Sequence, residues 1–93
     1  MSDEFQQIDL LDLEIEEIFR FFIGLTSNKA LQYLGVSLKE GETVEKDLVR
    51  ARLAIDTTDY LVKKMDPYME DEEEKQLKQM VSNLQFTYFR ESN

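Results

Sequence analysis

Apolar residues recur three and four positions apart over most of the chain, and nowhere do they alternate with period two. The first spacing predicts helices; half-buried strands would need the second, so none is predicted. The pattern begins at Ile8 or Leu10 and extends to Leu34, with Gly35 placed to cap a C-terminus. This predicts one long first helix, and Gly24 with Thr26, Ser27 and Asn28 marks where it would bend or split. The longest connection follows, VSLKEGE at residues 36–42. A second helix opens with Thr43 or Asp47 as N-cap and aligns Val44, Leu48, Ala51, Ile55, Thr58, Val62 and Met65. It ends at MDPYM, because Pro67 disfavours a helical Asp66. The third helix runs from about Asp71 to Glu91, with Leu77, Met80, Val81, Leu84 and Tyr88 on one face. The prediction is an all-α, antiparallel, up-down-up three-helix bundle over residues 8–92, a single domain behind a frayed segment 1–7.

The stretch IFRFFIGLTSNKALQYLG, residues 18–35, is the most apolar part of the chain. Rotating 100° per residue places Ile15, Ile18, Phe19, Phe22, Ile23 and Leu25 on one side, with Phe21 at the margin. They span roughly 200° of the circumference, twice the stripe of an ordinary core-facing helix. Either helix one is the central element of its bundle, or part of the arc meets another chain. The other helices also carry surplus apolar positions. Val49, Leu53 and Tyr60 form a second stripe opposite the Leu48–Ile55–Val62 face, and Phe86 and Phe89 lie off the face of the third helix. Large exposed apolar patches mark interaction sites. Phe21, Val49, Leu53, Tyr60, Phe86 and Phe89 are therefore the candidate interface of a protein–protein interaction module that forms a homodimer or docks on another protein.

Charge narrows the partners. The net charge is −9, and the eleven Lys and Arg are scattered singly or in pairs, so neither nucleic acid nor an anionic membrane is an expected partner. Arg20 and the flanking glutamates disqualify the apolar stretch as a membrane span. The acidic N-terminus lacks the basic n-region of a signal peptide, which points to a cytoplasmic protein, bacterial on the plain reading.

Candidate chemistry is sparse. There is no cysteine and no histidine, which removes thiolate chemistry, the commonest general base and the commonest metal ligand. The serines and threonines have nothing to activate them, and no glycine loop is built to cradle phosphate. The acidic run YMEDEEEKQ, residues 68–76, lacks the turning glycine of a calcium loop and reads as a helix start favoured by the helix dipole. Asp56 and Asp59 stand one turn apart on helix two and carry the alternative reading, a cryptic enzyme or small-ligand or cation-binding bundle with Tyr88 as third member. Arg52, four residues before Asp56, favours a structural ion pair instead. No catalytic residue, cofactor or metal site is predicted.

ALQYLG (30–35), DLVRARLAID (47–56) and EEEKQLKQMVSNLQFTYF (72–89) resemble, in order and spacing, the small bacterial proteins of domain-of-unknown-function family 1844 (DUF1844). The resemblance rests on Ala30, Leu31, Leu34 and Gly35, on Asp47, Leu48, Ala51, Ile55 and Asp56, and on Glu72 to Glu74 leading to Leu77, Leu84 and Tyr88. Two features depart from the family pattern: the connection after Gly35 lacks a proline, and Gln85 stands where arginine is usual. The resemblance implies a helical, cytoplasmic bacterial protein and carries no activity.

Overall fold

The computed structural model describes residues 9–36, 41 and 45–93. Three helices make up the fold: α1 (Ile15–Tyr33), α2 (Leu48–Lys64) and α3 (Asp71–Glu91). No strand occurs among the described residues. Segment 1–7, expected to be frayed, lies outside them.

The first helix starts later than its apolar pattern predicts. Leu10–Asp12 form a separate 3-10 turn, closed by the Asp9 carboxylate, which accepts the Leu11 N–H at 2.9 Å. The chain then passes through extended Leu13 and Glu14, and α1 begins at Ile15. The Glu14 N–H donates to the Glu17 side chain at 2.9 Å, half of a capping box that fixes this start. Beyond it α1 runs unbroken through Gly24 and Asn28. The Ser27 hydroxyl donates back to the Gly24 carbonyl at 3.0 Å, so the polar run is satisfied without leaving the helix.

The other boundaries follow the expected chemistry. Gly35 takes φ +93°, and the amides of Gly35 and Val36 bond to the carbonyls of Gln32 and Leu31, the Schellman closure that a glycine makes strain-free. The returning chain is tied to the same end by the Asp47 amide on the Tyr33 carbonyl, 2.8 Å. Asp47 is also the N-cap of α2, accepting the Arg50 amide at 3.0 Å and its guanidinium at 2.8 Å. The alternative cap, Thr43, lies outside the described residues. Pro67 sits in a 3-10 turn, Asp66–Tyr68, and the first turn of α3 is wholly acidic.

The core is organised around α2, which packs against both neighbours, whereas α1 and α3 meet only sparingly. Of the two readings of the wide apolar arc, the one that makes helix one the central element is not realised. The buried residues of α1 are Ile23, Ser27 and Ala30, and α2 answers with Ala51, Ala54 and Thr58. Small side chains let the two backbones approach, and that leaves no room between them for the rings of Phe21 and Phe22, while Phe19 and Tyr33 pack at the edges of the core. Thr58, fully buried, donates to the Ala54 carbonyl at 2.8 Å, so the Thr26 hydroxyl is the donor in the 2.7 Å contact between the two threonines. Larger residues fill the ends. Leu34, Ile55 and Leu84 close one cluster; Ile23, Val62, Met65 and Val81 close the other. Met80 packs against both.

A polar clasp holds α1 to α3 where they meet. Arg20 donates from Nε and Nη2 to the two oxygens of Glu73 (2.8 and 3.0 Å) and from Nη2 to the Tyr68 carbonyl (3.0 Å). The hydrogen bond from Arg20 holds the Glu73 carboxyl below the usual carboxylate range. Lys46 pairs with Glu91 at the opposite end of α3.

Substitutions test this packing. In chemical denaturation, Thr58→Val should cost about 1 kcal/mol through its lost hydrogen bonds. Ala51→Leu should cost about 1–3 kcal/mol by forcing the helices apart, whereas Phe86→Ser at the surface should stay within about 0.5 kcal/mol of the parent. A lowered folded-state pKa contributes stability above the unfolded carboxyl's pKa, near 4.3, and that contribution is lost as the folded group titrates. Glu73→Gln should therefore melt lower than the parent at pH 7, and the two melting curves should converge as pH falls below the carboxylate range.

Candidate interaction surface

Helix α3 covers one side of the α1–α2 pair. Toward it turn Arg20 and Leu31 of α1, and Ile55 and Val62 of α2. Among the described residues the opposite side is open. Its floor is a groove between α1 and α2 lined by Thr26, Tyr33, Arg50, Leu53, Ala54 and Thr57, with no residue of α3 and no described carboxylate. Rotation at 100° per residue brings Phe22 and Leu25 of α1 to the same side, and leans Leu53 and Tyr60 of α2 toward it. All four are exposed, as are Ile15, Phe21 and Val49 around them. The rings of Phe21 and Phe22 touch at a tilt, 5.8 Å between centroids.

The charge on this side runs against the rest of the protein. Lys29 lies over the Tyr33 ring at 4.8 Å and Lys64 over the Tyr60 ring at 5.5 Å. Neither has a carboxylate partner among the described residues; Arg50 is engaged by Asp47. Apolar surface rimmed by lysines stands on a chain of net charge −9.

Four of the six candidate interface residues, Phe21, Val49, Leu53 and Tyr60, belong to this side or its edge. Phe86 and Phe89 are equally exposed but stand on the outer surface of α3. The Arg90 guanidinium covers Phe86 at 5.8 Å, and Phe89 lines a groove between α2 and α3 with Arg52, Ile55, Asp56, Gln85 and Tyr88. The six are therefore not one patch. Phe22 and Leu25 complete the α1–α2 side, and the excessive width of the apolar arc on helix one was the signal for them.

Asp56 and Asp59 do not converge. Asp56 is exposed and lies 3.7 Å from Arg52, while Asp59 pairs with Lys63 at 3.1 Å and lines a different groove. Both ion pairs span one helical turn, the geometry of surface support. No group of three or more acidic residues able to hold a metal ion occurs among the described residues. Gln85 and Asp56 line one groove, and Gln85 also lines the one that holds Asp59. Another groove, between α1 and α3, is lined by Leu31, Met80 and Leu84, by the amides Gln76, Gln79 and Asn83, and by Lys75 and Thr87. Among the described residues, no helix is long and apolar enough to cross a membrane.

No curated protein and no solved structure matches the chain. The model of one family matches residues 17–90, which takes in all three helices apart from the first two residues of α1 and the last of α3. The chain belongs to that family, described as a domain of unknown function, DUF1844.

Proposed function

We propose that the protein is a non-catalytic interaction module of the bacterial cytoplasm that associates with a second copy of itself through the α1–α2 side opposite α3. The observation that carries this reading is the exposure of Phe22, Leu25, Leu53 and Tyr60 around a groove that no carboxylate lines among the described residues. Two copies of a chain with net charge −9 repel one another over most of their surfaces. The groove between α1 and α2, which no carboxylate lines among the described residues, is where they can approach closely. Each large apolar side chain covered there returns about 1.5–3 kcal/mol that exposure forgoes, and Tyr and Phe supply that area with few rotatable bonds.

Size-exclusion chromatography with light scattering tests the reading. The parent chain should elute at twice its 11.0 kDa mass. Leu53→Glu should elute at the monomer mass with its helical circular dichroism unchanged, since Leu53 is 67% exposed. Phe86→Ser with Phe89→Ser should leave the dimer intact. A parent that stays monomeric at every concentration would refute the reading.

A further inference from the structure

We infer that the α1–α2 side is occupied by the amino-terminal segment of a second copy, residues 3–13, so that two chains exchange these segments. The inference rests on the self-association proposed above and names the element that makes the contact.

Charge and apolar content match. The segment reads DEFQQIDLLDL, four acids among Phe5, Ile8, Leu10, Leu11 and Leu13, and no Lys or Arg precedes Arg20. The receiving side offers apolar side chains between two lysines. Of the Lys and Arg among the described residues, all but Lys29, Lys64 and Lys75 have a carboxylate partner, and Lys29 and Lys64 are the pair on this side. In an antiparallel pair where Thr26 stands level with Thr58, they are separated by about 14 Å along the helices. An acidic segment with interspersed apolar residues suits a surface of exposed apolar side chains flanked by two lysines, because the charges fix orientation while the apolar contacts supply affinity.

Leu10 and Leu11 do not fill this site on their own chain. Leu10 and Leu11 are 58% and 88% exposed, held outward on a turn that Asp9 closes. The extended backbone at Leu13 and Glu14 and the cap at Glu14 separate that turn from α1. Two exposed leucines and an exposed groove that they do not line form a complementary pair that a second copy satisfies in both directions, as two-fold symmetry requires.

The chain has no native cysteine, so single cysteines report contacts directly. Full-length Leu11→Cys and Leu53→Cys chains, mixed and gently oxidised, should give a mixed disulfide dimer at least ten times more abundant than Leu11→Cys mixed with Phe86→Cys. In the full chain, Leu10→Ser with Leu11→Ser should weaken dimerisation at least tenfold without changing helical content. If that variant dimerises as tightly as the parent while Leu53→Glu does not, the segment is not the occupant and the self-association reading stands. Ring closure within monomers of the Leu11→Cys/Leu53→Cys double variant, rather than between chains, would also overturn the inference. A parent that never dimerises removes both.

Discussion

The close seam between α1 and α2 decides the rest of the structure. It is made of small residues, Ser27 and Ala30 on one helix and Ala51, Ala54 and Thr58 on the other, with the Thr26–Thr58 hydroxyl contact across it. Such a seam gains its stability from close approach and dispersion rather than from bulky side chains. Its hydroxyls are fully satisfied: Thr58 donates to Ala54, and Ser27 to Gly24. Among the described residues no buried side-chain polar atom is left without a partner.

That choice of core displaces Phe21 and Phe22, while Phe19 and Tyr33 still pack against its edges. Neither Phe21 nor Phe22 can enter a seam sized for alanine, and α3 covers only the side where Ile55, Val62, Val81 and Leu84 supply volume. What remains outside is an apolar side rimmed by Lys29 and Lys64, on a protein that is otherwise strongly acidic. The polar clasp of Arg20 on Glu73 and the Tyr68 carbonyl works with this arrangement. It fixes α3 to the covered side, and so fixes which side stays open.

Much of this was legible in the sequence wherever boundaries carry distinctive chemistry. Asp47 at an N-cap, Gly35 at a C-terminus, Pro67 after α2 and four acids opening α3 each have a local physical meaning, and the helices end where those residues say. The start of α1 was not legible, because Leu10, Leu11 and Leu13 continue a helical apolar pattern while Glu14, a poor N-cap by type, sets the boundary through Glu17. The central role of α2 was also hidden. Periodicity weighs large residues heavily, and it drew attention to the phenylalanines of helix one rather than to Ser27, Ala30 and Ala54. The outward stripe of Val49, Leu53 and Tyr60 was readable, since its angular position excludes it from the face that packs. Its union with Phe22 and Leu25 depends on which side α3 occupies, and a single helix does not encode that.

The central claim is that the open α1–α2 side is an association surface whose burial is coupled to folding. The concentration dependence of the melting temperature tests it most directly, because a folded dimer in equilibrium with unfolded chains gains stability by mass action. The account predicts a melting temperature that rises steadily over a hundredfold range of protein concentration. An unchanged melting temperature over that range would contradict it, and would make the exposed rings ordinary surface residues of a stable monomer.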